Sequence, residues 1–451
     1  MNVRRLKRYK LWKKIGSLTL LLASFAAMAQ APGSEEKSSA KDENLKVRVD
    51  WGKVVRPVDP LAYAVNCPDC LDPAWSKKSE LLKALATVTD GGKPLIRLSG
   101  WGMVTQGFGE TWLNADGTWN GPKIKDALTP LVQAKYKLMI NILSGPGGEQ
   151  DPLEPGAMAT LAASLVKIVN VDYHLGVKYW EIPNEREHVL TASQMAAMFS
   201  QASAAMKAVD PTILVGGPAM ESIDSDYIGE VVKQSLPQID FVTVHTYGGD
   251  GKQSDAASYS SAIEAVRQVH ALRDRLTSIT QGKHLPIFVD EYNIGWDSTP
   301  KIADNAGAVY FSIIQSGVIE AGGNVSAVWD FSPSHNMSIV NKDGNLYPSA
   351  NIFTLMNRYF YGDEVAATSS DPAAIRAYAV QSVSAHSVML SNLGDSLLTV
   401  NLEFSPWKPK GINEYQISAA GYKELGRRKW SEVQWQGIKL PAKSVTILVA
   451  Q

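Results

Sequence analysis

Two glutamates each stand at the end of a short apolar run that is typical of a buried strand. Glu185 ends the motif YWEIPNE (179–185), and Glu291 lies within FVDEYN (288–293). Two facing carboxyl groups suit cleavage of a glycosidic bond: a protonated one donates to the leaving oxygen, and an ionised one attacks the anomeric carbon or activates water. A single Glu after a strand is more often a salt-bridge partner, so the pair carries the prediction.

Polar residues near other predicted strand ends suit the same chemistry. Arg97 can hold Glu291 ionised through its charge and hydrogen bonding, and the Tyr247 hydroxyl can donate to the same carboxylate. The Asn184 amide can bind a sugar hydroxyl, where hydrogen bonds strengthen in the transition state. Four groups from different strands therefore serve one predicted reaction.

Tryptophans near the predicted site offer flat apolar faces on which a pyranose ring can stack. Trp329 follows the last strand candidate, and Trp101 follows the second, with Trp112 and Trp119 further along the same loop. The alternative is that these rings pack in the core. The sequence predicts that Trp329 and Trp101 bind substrate.

The strand candidates alternate with helix-length segments such as 192–209 and 262–279, whose apolar residues recur every three or four positions. The eight candidates are 61–66, 94–99, 137–143, 177–182, 213–217, 240–245, 286–290 and 325–330. This order predicts an α/β fold, a (β/α)8 TIM barrel, and a doubly wound open sheet is the alternative. Because active sites of such barrels lie at the C-terminal ends of the strands, Glu185 and Glu291 are expected to face each other.

The C-terminal part of the chain has a different pattern. Its apolar runs alternate or are β-branched, which predicts a β-sandwich over 355–451 after a barrel over 59–354. The early segment 47–58 also alternates and is expected to join that sandwich. No glycine-rich segment completes a nucleotide-binding motif and no histidine spacing suits a metal, so neither cofactor nor metal is expected.

The N-terminal segment 1–29 has seven basic residues, then an apolar run over 15–28 and an A-x-A-type site ending at Ala29. This is typical of a cleaved signal peptide, so we expect a periplasmic or secreted protein preceded by a disordered linker over 30–46. Loss of the seven charges takes the net charge from −1 to about −8. The acidic balance disfavours nucleic acid and membrane partners, and nothing in the sequence sets the oligomeric state.

Only two cysteines occur, Cys67 and Cys70, in the motif CPDC. In an exported chain this pair predicts a local disulfide, since a metal site would need further ligands nearby. A redox-active C-x-x-C is the alternative.

The ordered motifs resemble glycoside hydrolase clan A, most closely family 39, with families 51 and 79 as near alternatives. The resemblance rests on YWEIPNE (179–185), FVTVHTY (241–247), FVDEYN (288–293) and the closing segment LPAKSVTILVA (440–450). It implies a retaining hydrolase of oligo- or polysaccharides, β-xylosidase-like or endo-β-glycanase-like.

By residue, the resemblance implies that Glu185 is the acid/base and Glu291 the nucleophile. It implies that Asn184 is the ligand of the sugar 2-hydroxyl. The supporting positions that it implies are Arg97, His245 and Tyr247. Asn293, at the end of the same predicted strand as Glu291, is a further candidate for substrate binding or support.

The sequence departs from the clan beside the acid/base residue. Arg186 follows Glu185 where the clan usually has Pro, and Pro183 stands where family 39 commonly has a larger residue. Arg186 and His188 suggest an acidic substrate, so a uronic-acid-directed glycosidase is an alternative function, as is an α-L-arabinofuranosidase. The alternatives from other classes are a carbohydrate-binding degenerate barrel and a barrel for metal-assisted hydrolysis.

Overall fold

A computed structural model of the chain describes residues 45–450, apart from 76–77, 100–111, 115, 117, 143–153, 335, 408 and 430–436. The predicted signal peptide and all but the last two residues of the predicted linker lie outside the described residues. Those two, Leu45 and Lys46, begin the first strand, β1 (Leu45–Pro57). No helix in the described part of the chain is long and apolar enough to cross a membrane.

Eight parallel strands follow β1 and close into a barrel, in which β2 pairs with both β3 and β9. The barrel strands are β2 (Tyr63–Asn66), β3 (Leu95–Leu98), β4 (Lys137–Asn141), β5 (Tyr179–Glu181), β6 (Leu214–Met220), β7 (Phe241–Tyr247), β8 (Ile287–Asn293) and β9 (Val325–Val328). Each lies within or overlaps one of the eight predicted runs. Closure confirms the predicted barrel and excludes the open-sheet alternative.

A helix follows each barrel strand and packs its apolar side on the barrel. The helices are α1 (Ser79–Val88), α2 (Gly121–Gln133), α3 (Pro155–Val166), α4 (Ala192–Val209), α5 (Ser225–Ser235), α6 (Asp255–Ile279), α7 (Asn305–Glu320) and α8 (Asn351–Tyr359). The start of α4 shows why the helices begin where they do. Thr191 and Gln194 exchange side-chain and backbone hydrogen bonds in a capping box that satisfies otherwise unpaired N–H groups.

The barrel floor is closed by aromatic side chains. Phe241 and Phe288 stack with 4.6 Å between their ring centroids. Gly216 on β6 makes room for them, because a Cβ there would lie 2.2 Å from the Phe241 ring. This packed floor leaves the opposite, C-terminal end of the barrel for the polar residues.

The remaining strands form a nine-stranded, mostly antiparallel sheet with a hydrophobic core of its own. They are β10 (Asp363–Ser369), β11 (Ile375–Gln381), β12 (His386–Asn392), β13 (Leu398–Ser405), β14 (Gly411–Ser418), β15 (Gly421–Lys429), β16 (Ile438–Leu440) and β17 (Ser444–Ala450). β1 lies inside this sheet, antiparallel to β10 and parallel to β13. The sheet is consistent with the predicted C-terminal β-sandwich, although α8 continues four or five residues beyond the predicted boundary at 354/355.

The sheet packs on the barrel through α7, whose residues are buried on nearly every side. Ser312 on α7 and Ser391 on β12 are joined by a hydrogen bond of 2.7 Å between their hydroxyl oxygens. At the edge of the contact, Lys443 pairs with Asp255 of α6 at 2.7 Å. An apolar interface with polar links at its margin therefore joins the two parts.

Candidate active site

The residues predicted to do chemistry meet at the C-terminal end of the barrel. β3 supplies Arg97, β7 supplies His245 and Tyr247, and β8 supplies Glu291. Glu185 stands four residues after β5. Five positions far apart in the sequence thus enter one pocket, because parallel strands end at the same rim.

Glu291 is held by a donor at each of its carboxylate oxygens. The Arg97 guanidinium donates from Nη1 to Oε1 at 2.7 Å, and the Tyr247 hydroxyl donates to Oε2 at 2.7 Å. Only 5% of Glu291 is exposed. Both contacts fix the orientation of the carboxylate, which a nucleophile requires. The contacts are the two that the sequence predicted.

Glu185 has a different environment, with about a quarter of its side chain exposed. Burial raises its pKa; the neighbouring charges of Glu291 and Glu221 also raise it, and the contact with His245 opposes the rise. The contact joins Glu185 Oε1 and His245 Nδ1 at 2.7 Å. A raised pKa keeps a carboxyl group protonated and able to donate, which suits a general acid.

The backbone of Glu185 is in the left-handed region, with φ of 52°, which is uncommon for a residue other than glycine. Its N–H donates to the carbonyl oxygen of Ala219, just before the end of β6, at 2.9 Å. Such strained conformations cost about 1–3 kcal/mol and concentrate at functional sites. The contact with Ala219 stabilises the conformation that directs the carboxyl group into the pocket.

His245 lies between the two glutamates. Its Nδ1 is 2.7 Å from Glu185 and 3.6 Å from Glu291 Oε2. Burial opposes the charged imidazole, but the carboxylates of Glu291 and Glu185 together raise the pKa of His245 above its ordinary value. His245 therefore links the proton state of one glutamate to that of the other.

A buried cluster of polar residues beneath the pocket holds Arg97. The guanidinium contacts Glu181 Oε2 at 2.7 Å and Asp290 Oδ2 at 2.9 Å, in addition to Glu291. Asn66 also accepts from Arg97, at 3.0 Å. Glu181 is wholly buried, in agreement with the structural role that the sequence suggested for it.

Three carboxyl groups around one buried cation do not all stay ionised. Burial and the charge of Glu181 raise the pKa of Asp290 well above its usual range. Although burial opposes ionisation of Glu181 too, the Arg97 charge and a hydrogen bond from Asp290 lower the pKa of Glu181. The opposed pKa shifts favour a proton on Asp290 rather than on Glu181. This role was not predicted from the sequence, although a charged residue inside the apolar run before Glu291 was the available signal.

Asn184 and Asn293 have different hydrogen-bond partners. The Asn184 side chain is buried beside Glu185, and its oxygen accepts from Arg97 at 2.8 Å, which orients the amide. The NH2 group is the part suited to a sugar hydroxyl. Asn293 is wholly buried and donates to the carbonyl oxygens of Trp329 and Met337. Asn293 therefore supports the loop after β9.

The predicted tryptophan platform is only partly present among the described residues. Trp329 follows β9 and is partly exposed. Trp101 lies outside the described residues. The structure corrects the suggestion that Trp112 and Trp119 extend the platform. Both are buried, and their indole N–H groups donate to the carbonyl oxygens of Leu71 and Leu161, respectively. Those two rings belong to the core beneath the loop.

The cysteine pair forms a disulfide with 2.02 Å between the sulfur atoms, which confirms the predicted bond. Cys67 directly follows β2, and its N–H donates to the Arg97 carbonyl oxygen at 2.9 Å. Between the cysteines, Asp69 accepts a hydrogen bond from the Ser334 hydroxyl on the loop after β9. The disulfide therefore closes a turn that joins two loops of the rim.

The two residues that suggested an acidic substrate have different surroundings. Arg186 is 2% exposed. His188 is exposed and lies 2.5 Å from Glu221. The uronic-acid-directed glycosidase stays a prediction, since the surroundings of these two residues do not test it.

Two groups among the described residues have ligand atoms close enough to hold a metal ion. One is Glu185, His245 and Glu291, and the other is Glu187, His188 and Glu221. In each, three atoms lie within 4.8 Å of one another. In the first group all three side chains also have partners that suit acid–base chemistry, as described above.

Comparison with known proteins agrees with the resemblance seen in the motifs. Residues 167–336, which include Glu185 and Glu291, match Glycosyl hydrolases family 39. A β-xylosidase of Geobacillus stearothermophilus is 26% identical over 175 residues, 35% of this chain and 31% of that enzyme. The match thus spans about a third of the relative's length.

Two solved structures have the same fold over most of the chain. A family 39 β-xylosidase from Caulobacter crescentus aligns with a TM-score of 0.64 and 15% identity, over 90% of this chain and 99% of the other. A family 51 α-L-arabinofuranosidase from Thermotoga petrophila aligns with a TM-score of 0.69 and 14% identity, over 90% and 100%. In its motifs and in the segment 167–336 the chain is similar to glycoside hydrolase family 39, and it shares the fold of these two enzymes.

Proposed function

We propose that the chain hydrolyses glycosidic bonds with retention of anomeric configuration, in two displacements. The observation that carries the proposal is the pair Glu185 and Glu291, whose nearest carboxylate oxygens lie within 4.8 Å and whose environments differ. A short separation favours retention, since carboxyl groups about 5–5.5 Å apart serve retaining enzymes and those about 6.5–9.5 Å apart serve inverting ones.

In the first displacement, Glu291 attacks the anomeric carbon as Glu185 gives its proton to the departing oxygen. The carbon–oxygen bond to the leaving group breaks and an ester to Glu291 forms. In the second, Glu185, now ionised, takes a proton from water whose oxygen attacks the same carbon and releases Glu291. Arg97 and Tyr247 stabilise the departing carboxylate. Each glutamate returns to its starting state.

The substrate class that we propose is a β-linked xylosyl oligosaccharide or polysaccharide. The likeness to β-xylosidases supports this choice, as does the partly exposed Trp329 at the rim. We also propose that the protein is exported and acts in the periplasm or outside the cell. The basic and apolar segments of 1–29 support export, as does the disulfide, which is typical of an oxidising compartment.

Azide rescue of two variants tests the mechanism. Glu291→Ala should lose about 10⁴-fold or more in kcat on aryl β-glycosides. Azide should restore turnover by filling the vacated space, and the glycosyl azide should have inverted configuration. Glu185→Ala is the matched variant, for which azide should give a product of retained configuration. The configurations are read by NMR after a screen of aryl glycosides, xylosides first.

Several results would oppose the proposal. Unchanged activity of Glu291→Ala would end the assignment of the nucleophile. Binding without turnover across the glycoside screen would favour a carbohydrate-binding barrel. Loss of wild-type activity after exhaustive chelation, with recovery on addition of a divalent ion, would favour metal-assisted hydrolysis, because a mechanism based on two carboxyl groups is insensitive to chelation.

A further inference from the structure

The loop that carries Glu185 makes two hydrogen bonds to the backbone at the end of β6 and at Glu221, the residue after it, in addition to the contact between the His188 and Glu221 side chains. The first is the hydrogen bond from the Glu185 N–H to the Ala219 carbonyl oxygen at 2.9 Å. The second runs in the other direction: the N–H of Glu221 donates to Glu187 Oε1 at 2.6 Å. The two links lie two residues apart on each segment and therefore fix both position and rotation of the loop.

The anchor for these links is the barrel itself. Ala219 has a φ of 49°, also in the left-handed region, and its N–H donates to the Thr243 hydroxyl of β7 at 2.8 Å. The end of β6 is thus fixed to β7, which supplies two residues of the site. The hydrogen bonds from the Glu185 loop to Ala219 and Glu221 therefore connect that loop to the barrel.

Glu187 is suited to this bridging task. Its Oε2 is buried and has no hydrogen-bond partner in the described part of the chain, so Oε1 makes the contact that holds the side chain. Burial raises the pKa of Glu187, with the charge of Glu185 adding to the rise. A neutral amide of the same shape can therefore replace this carboxyl group.

Resting on the proposed function, we propose that Glu187 is a positioning residue for the general acid, acting through the main chain of its loop. Without the bridge from Glu187 to the Glu221 N–H, the Glu185 loop loses one of its two hydrogen bonds to this backbone and keeps the contact between the exposed His188 and the Glu221 side chain. The left-handed backbone of Glu185 then relaxes and its carboxyl group no longer lies in line with the leaving oxygen. Proton donation by a general acid accelerates the reaction by about 10²–10⁴-fold. Loss of the Glu187 bridge is expected to reduce this contribution to the rate.

The dependence of kcat/KM on the leaving group tests the inference. A 2,4-dinitrophenolate departs without being protonated, whereas a phenolate needs a proton from the general acid. Glu187→Ala should lower kcat/KM for the phenyl glycoside by about tenfold or more and change the dinitrophenyl value much less. Glu187→Gln, which keeps an acceptor oxygen, should restore the wild-type ratio. Glu264→Ala, at an exposed position on α6, is the matched control for loss of a glutamate.

The outcomes separate this inference from the proposed function. Equal losses of Glu187→Ala on both leaving groups would overturn the inference and indicate a purely structural role. If Glu185→Ala itself shows no dependence on the leaving group, the proposed function fails first. Should Glu187→Ala not fold, Glu187→Asp is used instead. It retains a carboxyl group but shortens the reach to the Glu221 N–H, and it should show the same selective loss.

Discussion

At the residue scale, Asp290 and Glu181 differ in the charge that they carry beside Arg97. The opposed pKa shifts favour a protonated Asp290 and an ionised Glu181. On that assignment Asp290→Asn preserves both shape and charge, while Glu181→Gln removes an anion from beside a buried cation. We expect Asp290→Asn to change the free energy of unfolding by about 1 kcal/mol or less. Glu181→Gln should cost about 3–5 kcal/mol, as breaking a buried ion pair does.

Urea unfolding of the two variants measures this difference. The variants match in size, so cavities do not enter the comparison. Equal losses of stability would contradict the assignment of the proton to Asp290.

The Tyr247 hydroxyl is expected to affect the rate of the reaction and to have little effect on the stability of the fold. Its hydroxyl stays protonated, since burial and the charge of Glu291 raise its pKa well above the usual range. Tyr247→Phe removes the 2.7 Å hydrogen bond to Glu291. Hydrogen bonds to charged groups are worth about 1.5–3 kcal/mol, so kcat/KM should fall about ten- to a hundredfold. Steady-state kinetics beside a thermal melt checks both parts, and an unchanged rate would argue against contact with the nucleophile.

The pH dependence of the reaction follows from the general acid. Glu185 must be protonated in the first step, so activity falls as the pH rises through its pKa. Burial and the charges of Glu291 and Glu221 raise that pKa, while His245 opposes the rise. The other titratable or charged groups around the two glutamates are Arg97, Tyr247, Glu187 and His188. The descending limb of kcat/KM is therefore expected above the pH at which an ordinary glutamate titrates.

Glu221→Gln tests the electrostatic part of that shift. It removes a negative charge but keeps the backbone N–H that donates a hydrogen bond to Glu187. The pKa of Glu185 should decrease, so the descending limb should move to lower pH with the rate on the acidic side nearly retained. A limb that stays in place or moves to higher pH would contradict the sign of the Glu221 contribution.

At the element scale, the turn Pro68–Leu71 depends on the disulfide between Cys67 and Cys70. Closing so short a loop removes chain entropy worth about 2 kcal/mol from the unfolded state. The double substitution of both cysteines to Ser should therefore lower the free energy of unfolding by about that amount. Chemical denaturation in the absence of reductant measures it, and a variant as stable as wild type would show that the bond adds nothing.

The barrel strands were predictable because buried parallel strands are short apolar runs with few exceptions. Sequence also placed Glu185, Glu291 and their donors at one rim, since a barrel has only one catalytic end. The exposed strand β15 was missed, because its residues lack the alternation that burial on one face imposes. The direction of a side chain is not visible in sequence either, and for that reason Trp112 was a candidate for the substrate platform, with core packing as the alternative, although it is wholly buried.

At the scale of the whole molecule, the sheet and the barrel are expected to unfold together. α7 is apolar around its circumference because one side faces the barrel and another faces β12 and β17. A chain ending after α8 would expose that second side to water. We expect such a truncated protein to aggregate or remain unfolded, whereas the full chain melts in one cooperative transition. Calorimetry of the full chain would contradict this if it showed two independent transitions.

The central claim is that Glu291 forms a covalent bond to the sugar. The most direct measurement is mass spectrometry of the protein after incubation with 2,4-dinitrophenyl 2-deoxy-2-fluoroglycosides of xylose, glucose and arabinose, which slow the second displacement more than the first. We predict one stoichiometric adduct from at least one of these sugars, located on Glu291 after proteolysis and absent from Glu291→Ala. An adduct on another residue, or complete turnover with inverted product and no adduct, would contradict the account.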